Sequence, residues 1–224
     1  MIRAYQHRWA GPLLDRYNHY MLRKAFARLR VAGVDSLRSI TGSVIAAPNH
    51  SCWWDGCVDL YLTRAFLGRR SLLMMGETEL RKYRLFSSLG IFSPNVRYVI
   101  EELKKHPGSV FWIYPQGEML PARAPLEVRE GALLISEKSG APIVPVAHRY
   151  EFVRDDHPEV FVRFGSPLAG LKRGDAGTLR SSIASLLQRV DDDIAAQRFE
   201  AYQPVLVGAE TRSERLQRLR ENRA

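Results

Sequence analysis

The chain has 224 residues, of which 46% are hydrophobic, and a formal net charge of +9. These values suit one domain with a sizeable core, and the apolar runs are too short for a membrane-spanning helix. Cys52 and Cys57 lack both the C-x-x-C spacing of a redox motif and the second pair of a zinc site. The positive charge suits anionic partners: phosphate groups, coenzyme A or an anionic membrane surface. Nucleic acid is the competing interpretation, but no nucleic-acid-binding motif is present.

Residues 1–33 predict a basic amphipathic helix that begins near Pro12 and ends by Gly33. Apolar residues recur every four positions along it: Leu13, Tyr17, Met21, Ala25 and Leu29. The apolar face could lie in a lipid boundary with the arginines on anionic headgroups, or it could pack on the chain's own domain. One helix could do both. The N-terminus has no apolar core of a secretory signal, so we expect none.

The rest of the chain alternates short apolar runs with longer amphipathic ones. Strands are expected at 43–47, 71–75, 109–114, 143–147 and 160–164, and helices at 55–67, 77–89, 98–106, 131–139 and 179–199. This order predicts an α/β fold: a single domain at 34–205 with a mixed, mostly parallel sheet covered by helices. A charged tail follows at 206–224.

His50 and Asp55 lie five residues apart, directly after the strand expected at 43–47. Loops at the carboxyl ends of strands are where α/β proteins usually place their chemistry. A neutral imidazole can take a proton from a hydroxyl, and a carboxylate on its other nitrogen fixes the tautomer. The pair could thus activate a substrate hydroxyl directly. Alternatively, it is a structural histidine beside a helix-capping aspartate.

The sequence Asn49-His50-Ser51-x-x-x-Asp55 resembles the first block of the glycerolipid acyltransferases, the PlsC-like lysophospholipid acyltransferase family. Residues 111–118 and 141–147 resemble the third and fourth blocks, and Gly90-Ile91-Phe92-Ser93 lies where the second is expected. The resemblance implies an αβ domain with a groove and O-acyl transfer from acyl-CoA or an acyl carrier protein to the hydroxyl of a lipid acceptor. It implies neither cofactor nor metal, and a cytoplasmic protein held peripherally at the inner face of the membrane.

By this resemblance, His50 is the general base and Asp55 orients it. Substrate binding is expected at Asn49, Ser51, Arg97, Gln116, Gly117, Glu118, Arg129 and Pro145.

The second block departs from the family pattern because Pro94-Asn95 intervene and Arg97 comes late, and two positions of the third block depart from it as well. Gln116 replaces the usual glutamate, and Met119 stands where a phosphate-binding arginine commonly follows. Loss of that arginine removes a bidentate phosphate contact, which favours glycolipids and other neutral hydroxyl acceptors over a phosphorylated one. Arg123 or Arg129 could compensate.

Other functions remain open at this point. The same His–Asp pair could activate water, which would make the protein an acyl thioesterase. The chain could also be a non-catalytic basic module that binds a membrane or nucleic acid. His148 is a rival catalytic histidine, but it has no nearby carboxylate in the sequence, and a polar residue at a strand end is the simpler interpretation.

Overall fold

The structure is a computed structural model that describes residues 2–5, 9–153, 156–208, 216, 218, 220 and 221. Most of the tail expected at 206–224 therefore lies outside the described residues. The helices are α1 (Ala10–Ala25), α2 (Asp35–Arg38), α3 (Asp55–Tyr61), α4 (Glu77–Lys82), α5 (Val96–Lys105), α6 (Gly131–Ser139) and α7 (Ala176–Ala195). A π-helical turn (Leu62–Phe66) extends α3, and a 3₁₀ segment (Arg84–Leu89) follows α4.

The described strands form one sheet. They are β1 (Arg28–Ala32), β2 (Val44–Pro48), β3 (Ser71–Met74), β4 (Ile91–Phe92), β5 (Val110–Trp112), β6 (Ile143–Glu151), β7 (Glu159–Phe164) and β8 (Gln203–Val207). Their order is β4-β3-β5-β2-β6-β7-β1-β8. The first five are parallel, β7 pairs antiparallel with β6 and parallel with β1, and β8 is antiparallel to β1. The expected α/β fold with a mixed, mostly parallel sheet is confirmed.

Helices cover both faces of this sheet. On the first face, Leu22 of α1 and Val58 of α3 share a cluster with Ala46 of β2. On the second face, Ile45 of β2 lies in a cluster with residues of α5, α6 and α7. All five residues of β2 are buried, as is typical of a parallel strand that is covered on both sides.

The N-terminal helix is shorter than expected. It ends at Ala25 rather than near Gly33, and the next residues form β1 between β7 and β8. Leu29 and Val31 are buried, while Arg28 and Arg30, which alternate with them, pair with Glu159. This period of two is the signature of a strand, and it overrides the four-residue spacing from Ala25 to Leu29.

The strand β8 was not predicted. Only Leu206 of its five residues is buried, and Pro204 lies in it, as is common in edge strands. Because β8 pairs with β1, the sheet starts before residue 34 and ends after residue 205.

Several further elements differ from their expected bounds. The strand β5 ends at Trp112 rather than at residue 114, and α7 ends at Ala195 rather than at residue 199. The helix expected at 77–89 is divided at Tyr83, whose backbone (φ −121°, ψ 51°) is not helical. The strand expected at 143–147 runs on to Glu151, because β7 pairs with it up to that residue.

One face of α1 docks on the domain. Leu22 is buried there, the Asp15 carboxylate accepts from the Arg64 guanidinium at 2.6 and 2.7 Å, and Asn18 Nδ2 donates to the Cys57 carbonyl at 2.8 Å. The opposite face is exposed and mixes aromatic, leucine and basic side chains: Leu13, Arg16, Tyr17, Tyr20, Arg23 and Lys24, with Trp9 preceding them. The apolar stripe of the sequence is therefore divided between the two faces.

Candidate active site

The loop that carries His50 leaves the carboxyl end of β2, near the centre of the sheet. Asn49 anchors the start of this loop to the neighbouring strand β6. Its Oδ1 accepts the His148 N–H at 2.8 Å, and its Nδ2 donates to the His148 carbonyl at 3.2 Å. Asn49 is buried, so its role here is to join the two strands.

His50 and Asp55 are in direct contact. The Nδ1 of His50 lies 2.8 Å from Oδ2 of Asp55, and the same oxygen accepts the N–H groups of Ser51 and Cys52 at 2.9 and 3.0 Å. The sharp turn from strand to helix makes this possible, because Asp55 is the first residue of α3. With Nδ1 donating to the carboxylate, Nε2 is left as the acceptor nitrogen.

The Asp55 carboxylate is completely buried. Burial acts to raise the pKa of Asp55, but its contacts with His148, His50 and Tyr150 outweigh burial and lower the pKa well below its usual value. Asp55 is therefore ionised across the neutral range. Its charge can stabilise an imidazolium at His50.

His50 itself is partly open to solvent, with 21% of its side chain exposed. Its ring stacks on the ring of Tyr114, with centroids 4.0 Å apart and planes at 15°. The ring is thus held from one face by Tyr114 and at one edge by Asp55.

Gln116 holds the backbone of the His50 loop. Its Oε1 accepts the His50 N–H at 2.6 Å, and the Leu120 N–H donates to the His50 carbonyl at 3.0 Å. Gln116 is buried, so the residue expected to bind substrate is a support of the loop.

Arg129 lies over Gly117. The φ of Gly117 is +79°, and a Cβ there would come within 2.8 Å of the Arg129 guanidinium. Arg129 also pairs with Glu118 at 3.2 Å, and both side chains are exposed. The positive φ favours glycine here, and the missing Cβ leaves room for the guanidinium against the backbone.

Two expected substrate-binding residues do not join His50. Pro145 packs against Gly165 on the second face of the sheet, whereas His50 and Asp55 lie on the α3 side. Arg97 is exposed in the first turn of α5, after β4. Because β4 is three strand spacings from β2, it lies roughly 14 Å along the same edge of the sheet.

Four residues that were not predicted as site residues complete the cluster. His148 is completely buried within β6, with Nδ1 3.5 Å from Asp55 and Nε2 3.2 Å from Asp59. The hydroxyl of Tyr150 donates to Asp55 at 2.6 Å, and that of Tyr114 donates to Asp59 at 2.8 Å. The interpretation of His148 as a strand-end residue without a carboxylate partner is wrong, because its partners come from α3.

The sequence contains a signal for this cluster. Asp55 and Asp59 are one helical turn apart, and His148 and Tyr150 are two residues apart on one strand, so each pair shares a face. Which strand lies beside α3 depends on the sheet order, which local patterns do not give.

Burial and the nearby carboxylates keep the Cys57 thiol and the hydroxyls of Tyr114 and Tyr150 protonated. Burial and then Asp59 raise the pKa of Cys57 to about 12. Burial also raises the pKa values of Tyr114 and Tyr150 well above the usual one. The tyrosines therefore act as hydrogen-bond donors, and the Cys57 thiol is not a nucleophile.

A groove of about 710 Å³ adjoins the His50 loop. Ser51, Cys52 and Tyr150 line one side of it, and α7 lines the other with Leu187, Asp191 and Ile194. Arg123, Arg149 and Glu151 supply further charged groups. This volume lies within the range of small-molecule sites.

Within the described residues, no group of three or more His, Cys, Asp or Glu side chains is placed to hold a metal ion. Nor does any helix of the described parts have the length and apolar character needed to cross a membrane.

No protein-family model and no curated protein match this chain. Among solved structures, it is similar to the crystal structure of the 1-acyl-sn-glycerophosphate (LPA) acyltransferase PlsC from Thermotoga maritima, with 20% sequence identity and a TM-score of 0.59. The match covers 83% of this chain and 80% of that chain. The fold of this chain is therefore similar to that of a PlsC acyltransferase, as the sequence motifs implied.

Proposed function

We propose that the protein is an O-acyltransferase that moves a fatty acyl group from an acyl thioester to the hydroxyl of a lipid. The observation that carries the proposal is the 2.8 Å contact between His50 and the buried, ionised Asp55. It lies at the carboxyl end of a central strand, in a fold similar to that of PlsC.

In the proposed reaction, Nε2 of His50 takes the proton of the acceptor hydroxyl. The acceptor oxygen attacks the thioester carbonyl, the carbon–sulfur bond breaks, and the imidazolium returns the proton to the leaving thiolate. The Asp55 charge stabilises that imidazolium. General base catalysis of this kind contributes about 10²–10⁴-fold.

The negative oxygen that forms during attack needs hydrogen-bond donors. The N–H groups of Ser51 and Cys52 already donate to Asp55, and that of Gly117 donates to the Tyr114 carbonyl at 3.0 Å. The exposed Arg129 guanidinium, beside Gly117, is a positive group in the same region. We assign Arg129 and its partner Glu118 to substrate binding on this basis.

The groove beside Ser51 and Cys52 is the proposed site of the acceptor headgroup. Its charges balance: two arginines face two acids, and Arg149 is bound to Asp191 at 2.6 and 3.0 Å. A phosphate there would lie near two carboxylates, whereas hydroxyl groups can donate to carboxylates and accept from arginines. The groove therefore favours an uncharged headgroup that is rich in hydroxyl groups.

The exposed face of α1 is the proposed contact with the membrane. Trp9 and Leu13 are 77% and 69% exposed, and Arg16, Arg23 and Lys24 lie on the same side of the helix. Aromatic and leucine side chains at the headgroup boundary, with basic residues beside them, suit an anionic lipid surface. Trp53 of the His50 loop is also exposed.

Product analysis tests the proposal against the thioesterase alternative. Purified protein is incubated with a long-chain acyl-CoA and a lipid extract, and the lipids are followed by mass spectrometry. A new ester that depends on the protein supports acyl transfer and identifies the acceptor. Free fatty acid as the sole product, with acceptor lipids present, would contradict the proposal and favour hydrolysis.

A further inference from the structure

Two carboxylates lie side by side in the interior of this domain. Asp55 and Asp59 occupy successive turns of α3, and neither is exposed to solvent. Like charges one turn apart on a helix repel, and removing each carboxylate from water is unfavourable unless the ion is paired. The pair therefore requires a cation or a bound proton.

His148 is the side chain placed between them. Its two ring nitrogens face different carboxylates, Nδ1 at 3.5 Å from Asp55 and Nε2 at 3.2 Å from Asp59. Within the described residues, no arginine or lysine forms an ion pair with either acid, and the other contact of this kind is that of His50 with Asp55.

Apart from the acids, the described groups with contacts to this cluster are neutral: two tyrosine hydroxyls, a tryptophan ring and a thiol. The hydroxyls of Tyr150 and Tyr114 each donate a hydrogen bond to one of the two carboxylates but carry no positive charge. The Trp112 ring lies 6.3 Å from the imidazole, and the protonated Cys57 thiol is near the carboxylates. Both carboxylates thus have donors, but among the residues that the structure describes only His148 offers a positive charge that reaches both.

The geometry favours an attraction between charges rather than a pair of ordinary hydrogen bonds. Neither ring nitrogen of His148 is aligned for a hydrogen bond. A neutral imidazole would turn the lone pair of one ring nitrogen toward a carboxylate oxygen, which repels it, whereas an imidazolium presents an N–H to each acid. The Asn49 side chain forms hydrogen bonds with both the N–H and the carbonyl of the His148 backbone. These bonds fix the position of His148, whose ring lies between the acids.

The titration of the cluster agrees with this arrangement. Burial acts to lower the pKa of His148, but the attraction of Asp59 and Asp55 outweighs it and raises the pKa to about 10. Burial raises the pKa of Asp59, and the His148 contact opposes that rise. The pair of His148 and Asp59 therefore carries one titrating proton through the neutral range, and the contact of the ring with both acids favours the imidazole as the site of that proton.

We propose that His148 is a positioning residue of the site: an imidazolium, held between Asp55 and Asp59, that lets Asp55 remain a carboxylate in the interior and hold His50 in its catalytic orientation. The inference rests on the proposed role of His50 as the general base. His148 does not touch the substrate, because it is completely buried.

The protonation state of His148 can be measured directly. In the full-length protein labelled with ¹⁵N-histidine, both ring nitrogens of His148 should carry protons at about pH 8, where an ordinary histidine is neutral. Assignment uses the His148→Gln spectrum or, if that variant does not fold, the His50→Ala and His106→Ala spectra together with contacts to the Tyr114 and Tyr150 rings. A neutral His148 ring at this pH would overturn the proposal.

Charge compensation gives a second test. His148→Gln leaves two buried acids without their cation, so kcat should fall at least about tenfold with little change in KM, and the pH dependence of kcat/KM should shift. Adding Asp59→Asn removes the second acid and should restore kcat to within about threefold of the Asp59→Asn single variant. A side chain that served only to fill space would show no such rescue, and a double variant as slow as His148→Gln would contradict the inference.

These outcomes separate this inference from the proposed function. If the protein transfers no acyl group but His148 is protonated at about pH 8, the proposed function fails, whereas the inference that a His148 imidazolium lies between the two acids stands. If acyl transfer depends on His50 but His148 is neutral, the inference about His148 fails and the proposed function stands.

Discussion

The side-chain oxygen of Gln116 accepts the backbone N–H of His50 at 2.6 Å, although the two residues are 66 positions apart in the chain. Gln116 follows β5 and His50 follows β2, and these strands are neighbours in the sheet. The contact therefore ties together the loops at the carboxyl ends of two adjacent parallel strands.

This contact predicts the behaviour of two substitutions. Gln116→Ala removes a buried hydrogen bond, worth about 1 kcal/mol, and frees the His50 backbone, so we expect kcat to fall about tenfold. Gln116→Glu keeps an acceptor oxygen at the same place and should stay within about threefold of the wild type. Steady-state kinetics on both variants checks this. Equal loss in both would mean that the amide itself, and not the acceptor oxygen, is required.

Asp55→Asn separates two roles of Asp55. An asparagine can still accept the N–H groups of Ser51 and Cys52, so a purely capping role predicts little loss of activity. The proposed mechanism requires the negative charge beside His50 and predicts a loss of about 10³–10⁴-fold in kcat. Circular dichroism should show that the fold persists, and a variant with nearly full activity would exclude the mechanism.

The stability of the protein should depend on pH with a defined sign. The pKa of His148 in the folded state, about 10, lies above the unfolded value of about 6.5. Its contribution is therefore fully present below about pH 6.5 and is lost as the pH rises toward 10. The depressed pKa of Asp55 works in the other direction: its contribution is present above about pH 4 and is lost in more acidic solution.

Urea unfolding at about pH 6 and about pH 9 measures the basic side of this profile. The free energy of unfolding should fall by a few kcal/mol between the two for the wild type and by clearly less for His148→Gln with Asp59→Asn. An equal decline in both proteins would assign the pH dependence to other groups.

Binding to vesicles tests the exposed face of α1. Changing Arg16, Arg23 and Lys24 to glutamine removes three charges, each worth about 1 kcal/mol near an anionic surface, so affinity for such vesicles should fall by roughly 100-fold. A matched control changes three exposed basic residues elsewhere: Lys104, Lys105 and Arg180. If both triple variants lose the same affinity, the effect comes from net charge alone and the assignment to α1 is wrong.

The sequence was sufficient for the fold class and for the pair of His50 and Asp55, because both depend on local order. The apolar runs of β2 and β5 and the five-residue spacing of the pair each lie within a short stretch of sequence. The edge strand β8 could not be predicted in this way. Only Leu206 in it is buried, and its pairing with β1 joins segments that are far apart in the chain.

The role of His148 could not be predicted from the sequence either, because it also depends on contacts between distant segments. Its two carboxylate partners are about 90 residues away in the chain and come from α3, and only the sheet order brings that helix over β6. Gln116 and Asn49 match family motifs that suggest substrate contact, yet their buried side chains bind backbone groups. A motif identifies which residues matter more readily than what each one touches.

The most direct test of the account is the rate of ester formation by His50→Ala, with His106→Ala as the matched control. His106 is a partly exposed histidine after α5, next to the amino end of β5 and so at the opposite edge of the sheet from His50. We predict that His50→Ala, correctly folded, loses at least about 100-fold in ester formation while His106→Ala keeps the wild-type rate. Ester formation by His50→Ala at the wild-type rate would contradict the central claim that His50 is the base.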